Sequence, residues 1–317
     1  MKTILVTGAL GQIGSELVVK LRDLYGDRHV VGTDVRSDPN SPVVSGGPFE
    51  TLDVTDGERF LELGKKYQVD AVIHLAAVLS ATAEAKPQFA WHLNMTGLVN
   101  GLETARQLEG QLFTPSSIAA FGPSTPKDGT PQDTIQRPNT IYGVTKVAGE
   151  LLCDYYHQRF GVDTRGVRFP GLISYVTPPG GGTTDYAVDI YYQAVKEKKY
   201  TSYIAAGTKM DMMYMPDALD AIVQLMEADP ARLVHRNAFN IAAMSFAPED
   251  VAAAIKARIP EFELTYDVDP VRQRIAESWP NSIDSSCAVE EWGFRPRFDL
   301  ESMTEDMLQK LAGRLVR

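Results

Sequence analysis

The sequence predicts an α/β protein with a doubly wound parallel sheet and a smaller C-terminal lobe. Three observations carry that expectation. Short apolar runs alternate with helical stretches through the first half, a glycine triplet follows the first run, and the pattern loosens after Pro170. Residues 3–7 (TILVT), His29–Gly32 leading to Asp34, Ala71–Leu75 and Leu112–Pro115 read as buried parallel strands. Between them, Ile13–Tyr25, Gly57–Tyr67 and Trp91–Gln107 carry the apolar spacing of helices. Strands alternating with helices imply right-handed βαβ units. A further helix over Tyr142–Phe160 leads into a strand over Asp163–Arg168. Beyond Pro170, Thr177–Thr184 (TPPGGGTT) has loop composition, and Met215–Ala228, Pro248–Arg258 and Leu300–Leu315 read as helices.

Composition narrows the function classes. With 317 residues, 44% hydrophobic and 23% charged, the chain has the make-up of an ordinary globular protein. A formal net charge of -10 argues against nucleic acid or an anionic membrane as partner, since both call for basic patches. The N-terminal apolar run is too short for a signal peptide, and no stretch approaches the roughly 20 apolar residues that span a bilayer. Cys153 and Cys287 belong to no CxxC pair, so two inert thiols in a reducing, cytoplasmic setting are expected. His29, His74, His92, His157 and His235 form neither a helical i, i+4 pair nor HExxH, and no metal site is expected.

The glycine triplet is Gly8, Gly11 and Gly14 in TGALGQIG, between a strand and an amphipathic helix. Glycines there permit the tight turn, let backbone approach a pyrophosphate and allow close helix–sheet packing. Gln12 and Ile13 open the helix, whose N-terminus offers free N–H groups and a positive dipole end. Asp34 ends the second strand at the distance expected of a ribose-binding acid, about 20 residues on. A carboxylate accepts from a ribose 2′-OH and repels a 2′-phosphate, which favours NAD over NADP, although Arg36 lies close by. The first half therefore reads as a Rossmann-type NAD-binding core over 1–172 with a return segment near 215–242. The smaller substrate-binding lobe takes 173–214 and 243–317.

Tyr142 and Lys146 form YxxxK, and on a helix positions i and i+4 share a face. A free phenol titrates near 10, so a lysine ammonium one turn away and a cationic cofactor are expected to lower it. Upstream, Ser116 and Ser117 end a strand at the carboxyl edge, where doubly wound folds place their sites. A serine there holds the reacting oxygen while Tyr142 moves the proton.

TGxxGxxG, His74–Ala77 (HLAA), the Ser116-Ser117 to Phe121-Gly122 block, YxxxK, Arg168-Phe169-Pro170-Gly171 and Trp292-Gly293-Phe294-Arg295-Pro296 together resemble the extended short-chain dehydrogenase/reductase superfamily, nearly end to end. The resemblance implies Ser117 as the catalytic serine, Tyr142 as acid/base and Lys146 as its activator. It also implies cofactor contacts at Asp53, Val54, Leu75, Ala76, Ala77, Asn94, Pro170 and Leu172. His74 reads as a core histidine.

Pro170–Tyr175, Pro178–Ala187 and Met212–Met215 are similar to the L-threonine 3-dehydrogenase branch, which implies NAD-dependent oxidation of threonine's β-hydroxyl. Ser80, Thr183, Thr184 and Trp279 are then the expected substrate contacts, and the glycine-rich loop a lid. Two other readings stay open at this point. One is a UDP-hexose 4-epimerase or related nucleotide-sugar enzyme on the same scaffold. The other is a dinucleotide sensor without chemistry, although such proteins commonly lose the Tyr or Lys present here. Apolar residues on several sides of the helices Trp91–Gln107 and Tyr142–Phe160 suggest a homodimer, as in related enzymes.

Overall fold

The computed structural model describes residues 1–178 and 182–315. Its first elements alternate: β1 (Ile4–Thr7), α1 (Gln12–Tyr25), β2 (Val30–Asp34), α2 (Pro42–Ser45), β3 (Phe49–Thr51), α3 (Gly57–Tyr67), β4 (Ala71–His74), α4 (Ser80–Ala85), α5 (Pro87–Gln107) and β5 (Gln111–Phe113). Then come β6 (Ser116–Ser117), α6 (Ile141–Phe160), β7 (Asp163–Arg165), β8 (Val167–Phe169) and β9 (Gly171–Ile173). The remainder holds α7 (Tyr186–Glu197), β10 (Lys199–Ser202), β11 (Met210–Tyr214), α8 (Met215–Glu227), β12 (Phe239–Asn240) and β13 (Met244–Phe246). It closes with α9 (Pro248–Lys256), β14 (Glu263–Tyr266), α10 (Pro270–Ser278), α11 (Ser286–Trp292) and α12 (Leu300–Leu315).

Six strands form one parallel sheet in the order β3-β2-β1-β4-β5-β7. The order reverses direction at β1, as the doubly wound class requires. β1, β2 and β4 are buried throughout, because a parallel sheet is covered on both faces. Leu5, Phe60, Leu63, Val72, Leu102 and Leu112 make the core on one side of this sheet, with Cys153 and Tyr156 of α6.

The chain folds into two compact units. The first comprises 1–120, 140–168 and 219–239; the second comprises 121–139, 169–218 and 240–317. Residues 121–139 thus group with the later segments. Lys127 explains part of this: its Nζ donates to the Trp279 carbonyl at 2.8 Å, and its own carbonyl accepts from the Asn281 N–H. Within the second unit, β13, β11 and β9 make a mixed sheet and β10 pairs with β14. The Tyr191 hydroxyl on α7 bonds that of Thr304 on α12 at 2.7 Å, and the Asp217 carboxylate receives the Arg297 and Phe298 N–H groups.

Several local expectations need correction. The helix expected from Trp91 begins at Pro87, whose missing N–H costs nothing at a first helical position. The single strand expected over Asp163–Arg168 divides at Gly166; β7 closes the edge of the large sheet and β8 belongs to a short ribbon with β6. Helix α7 lies where no helix was expected, since its run YAVDIYYQAV is rich in β-branched and aromatic residues. Cys287 is half-exposed, whereas Cys153 is fully buried.

The buried Arg165 guanidinium ties β7 to the end of α8. Its Nη1 donates to the carbonyls of Leu225 and Ala228 at 2.6 and 2.8 Å, and Nη2 to Asp163 at 2.8 Å. These carbonyls lie at the end of a helix, where the regular i to i+4 ladder runs out of donors. Arg165→Met removes every one of these bonds and should cost about 3 kcal/mol of stability. Urea unfolding of the two proteins measures it.

Candidate active site

Two depressions in the first unit carry the chemistry-bearing residues. The larger is a cleft of about 650 Å³ at the carboxyl ends of β1, β2 and β4. Gly8, Gly11, Asp34, Asp53, Val54 and Leu75–Ala77, all expected from the sequence, line it together. Gly8 adopts a φ of +66, and a Cβ there would lie 2.8 Å from the Ala76 nitrogen. A Cβ on Gly14 would lie 2.2 Å from the Gly8 carbonyl oxygen and 2.8 Å from the Ala9 Cα. Both glycines are therefore required by the close approach of α1 to β1 and β4. Helix α1 starts at Gln12 with no side-chain cap, unlike α3, capped by Asp56, and α6, capped by Thr140. Its first N–H groups are left for an anion.

Asp34 fixes this cradle. Its carboxylate accepts from the Leu10 N–H at 3.1 Å and the Arg36 N–H at 3.2 Å while remaining on the cleft wall. Asp53 accepts from the Thr55 N–H and hydroxyl, which hold its carboxyl below the usual range. An uncapped helix end, a glycine cradle that any Cβ would fill and a carboxylate at the end of β2 suit a dinucleotide with a free ribose 2′-OH. Phe89, His92 and Leu93 of α5 complete the cleft wall. Phe89 escaped notice in the sequence because the helix was expected to start at Trp91; Pro87 was the available signal.

The second depression is a small pocket of about 30 Å³ beside Lys146, Pro115, Ser116 and Glu150. Helix α6 delivers Tyr142 and Lys146 from its first turns. Its N-terminus is fastened twice: Thr140 accepts from the Gly143 N–H at 3.1 Å, and the Glu84 carboxylate on α4 accepts from the Ile141 N–H at 2.7 Å. At the other end Gly161 caps in the left-handed region.

Ser117, Tyr142 and Lys146 come together. The Ser117 hydroxyl is the hydrogen-bond partner of the Tyr142 phenol and accepts from the Ala119 N–H at 3.2 Å. The Lys146 Nζ lies 5.3 Å from the Tyr142 ring centroid and donates to the Pro115 carbonyl at 2.7 Å. The expected lowering of the tyrosine pKa is not what this arrangement gives. Burial pushes the phenol up to about 12, with the Ser117 bond acting the other way. Burial also pulls the Lys146 ammonium down to about 8, against the pull of Glu150. Desolvation therefore outweighs local charge at both groups.

His74 is a core histidine, as expected: burial pushes it down to about 3, and its Nδ1 pairs with the Thr7 hydroxyl at 2.9 Å. The Asn94 amide is committed to the Val78 backbone, at 2.8 and 3.2 Å, and to the Thr145 hydroxyl, so it braces the segment after β4. Ser80 opens α4, half-buried. Pro170, Leu172, Thr183, Thr184 and Trp279 belong to the second unit, where Thr183 and Trp279 are buried. Of the glycine-rich loop, residues 179–181 lie outside the described residues, and with them the centre of the expected lid.

Residues 4–242 match the model of the NAD-dependent epimerase/dehydratase family. A curated relative, an uncharacterized epimerase/dehydratase of Staphylococcus saprophyticus, is 62% identical over 314 residues, covering 99% of this chain and 98% of the relative. Among solved structures, the L-threonine dehydrogenase of Clostridium difficile superposes with a TM-score of 0.98 at 68% identity, covering 99% of this chain and 98% of that one. A metagenomic protein described as a monomeric L-threonine 3-dehydrogenase superposes with a TM-score of 0.94 at 43% identity, covering 98% and 99%.

Gly14→Ala tests the cradle. Only backbone faces the added methyl, so α1 must move off β1, at about 2 kcal/mol of stability. NADH binding, followed by its fluorescence, should weaken by at least about tenfold.

Proposed function

The chain belongs to the NAD-dependent epimerase/dehydratase family, and within it we propose that this oxidoreductase converts L-threonine and NAD to 2-amino-3-oxobutanoate and NADH. The observation that carries this reading is the likeness, over 99% of the chain, to the clostridial L-threonine dehydrogenase. The Ser117, Tyr142 and Lys146 arrangement supplies chemistry that suits it.

Tyr142 as phenolate takes the proton from the β-hydroxyl, and Ser117 holds that oxygen by hydrogen bond. Bound NAD supplies the acceptor for the hydride leaving C3, and a positive charge beside the phenol. A phenol is protonated at neutral pH and burial pushes this one further up, to about 12, so the base forms only when positive charge gathers around it. Lys146 supplies part of that charge and stays in register through the Pro115 carbonyl. Gly8, Gly11, Gln12, Ile13, Gly14 and Asp34 would hold the pyrophosphate and adenosine ribose, with Asp53, Val54, Leu75, Ala76 and Ala77 alongside and Asn94 bracing. Ser80, Thr183, Thr184 and Trp279 are proposed as substrate contacts, and Pro170 and Leu172 as neighbours of the nicotinamide.

A second copy of this chain is proposed to cover α6. Val144, Leu151 and Tyr155 form an exposed stripe at helical spacing, and Trp91 of α5 is exposed too. An apolar stripe of this kind on a water-facing helix marks an interface.

Two measurements test the reading. Wild-type protein offered L-threonine, allo-threonine, serine and UDP-galactose should form NADH with L-threonine, with or without EDTA; turnover of UDP-galactose alone would overturn the assignment. Tyr142→Phe should lose at least about 10²-fold in turnover, the scale of general acid–base catalysis. For the interface, Leu151 is 62% exposed, so Leu151→Asp should leave the fold intact and yield a monomer in sedimentation.

A further inference from the structure

Behind the catalytic face of α6 lies a buried ion pair that no step of the proposed reaction uses. Glu150 and Arg168 are 6% and 7% exposed. The Arg168 Nε donates to Glu150 Oε1 at 3.1 Å and Nη2 to Oε2 at 2.9 Å, a bidentate grip. The Ser116 hydroxyl donates to the same Oε1. Burying two charges is expensive, and an apolar pair of equal volume would often serve stability as well. Retention of the charges needs another reason.

Position supplies one. Ser116 neighbours Ser117, whose hydroxyl meets the Tyr142 phenol, and Pro115, whose carbonyl holds the Lys146 Nζ. Glu150 follows Lys146 by one helical turn, on the same face, and both line the small pocket. One carboxylate therefore touches the strand end that carries the serine and faces the ammonium that serves the tyrosine. We propose that Glu150 is a positioning residue for this site, clamped by Arg168 and Ser116 so that its fixed anion anchors the Pro115–Ser117 strand end and gives Lys146 its counter-charge.

The groups facing Lys146 are few. From its own helix come Glu150, Tyr142 and Cys153, and from β4 comes His74. Arg168 of β8 stands on the far side of Glu150. His74 is pushed down to about 3, Tyr142 up to about 12 and Cys153 upward as well. Lys146, near 8, is then the one of these that titrates between pH 7 and 9, and Glu150 acts to raise it. Removing the anion leaves the Arg168 charge in place, so both changes drive the Lys146 proton off at lower pH.

The test rests on the proposed use of Lys146 as activator, and its titration arm needs no substrate. Lysine 13Cε shifts are followed against pH in the full chain, with Lys146→Arg to identify the Lys146 signal. In Glu150→Gln the Lys146 midpoint should fall by about 1 unit, the scale of losing one opposite charge nearby. Ser116→Ala keeps the anion and should leave the midpoint unmoved. It should lower turnover several-fold at unchanged threonine KM. Where Glu150→Gln does not fold, Glu150→Leu/Arg168→Met removes both members of the ion pair and should lower the midpoint too. A midpoint that stays put in the folded variant overturns the proposal. Absence of threonine turnover in the wild type would overturn the assigned reaction instead, and would leave the titration result standing.

Discussion

Desolvation of the Tyr142–Lys146 pair is the constraint around which the first unit is arranged. Keeping water out strengthens every remaining electrostatic interaction, yet it drives the phenol towards its proton and the ammonium away from one. The surroundings oppose both tendencies with groups fixed by secondary structure. Ser117 meets the phenol from the end of a strand, and the Pro115 carbonyl and Glu150 carboxylate offer the ammonium negative charge. Because α6 is fastened by Thr140 and Glu84 at one end and Gly161 at the other, these groups face one another without rearrangement. That is preorganisation in the sense that matters for catalysis.

The proposed cofactor cleft solves a different problem with the same elements. There the demand is for close approach, met by Gly8 and Gly14, and for helix N–H groups that no side chain has claimed. Helix α5 serves both regions: Phe89, His92 and Leu93 wall the cleft, while Asn94 one position later binds Val78 and Thr145. A displacement of α5 would therefore be felt at the cleft wall and behind the first turns of α6 together.

The features legible in the sequence were those encoded within a few residues. The Gly8–Gly14 turn, Asp34 at a strand end and the i, i+4 spacing of Tyr142 and Lys146 each carry their meaning locally. Partner choices made across the fold left no such trace. Glu84 caps α6 from 57 residues away, and Arg168 finds Glu150 18 residues on through a chain reversal. Neither spacing has a period that sequence inspection could use. The aromatic run of α7 went unassigned because packing decides it: the run is helical with its tyrosines buried, Tyr191 bonding Thr304 of α12. The upward push of burial on the tyrosine was not legible for a related reason, since charge order is visible in a sequence and burial is not.

The link from Arg165 to the end of α8 bears on how the chain matures. Strand β7 is complete by residue 165, but the carbonyls its guanidinium needs belong to Leu225 and Ala228. On the ribosome, the first unit must therefore wait with the Arg165 guanidinium unsatisfied while some 60 further residues are made, most of them destined for the other unit. Interrupting the first unit with the second makes the halves interdependent in birth order, so neither can be shed or exchanged as a free-standing cassette.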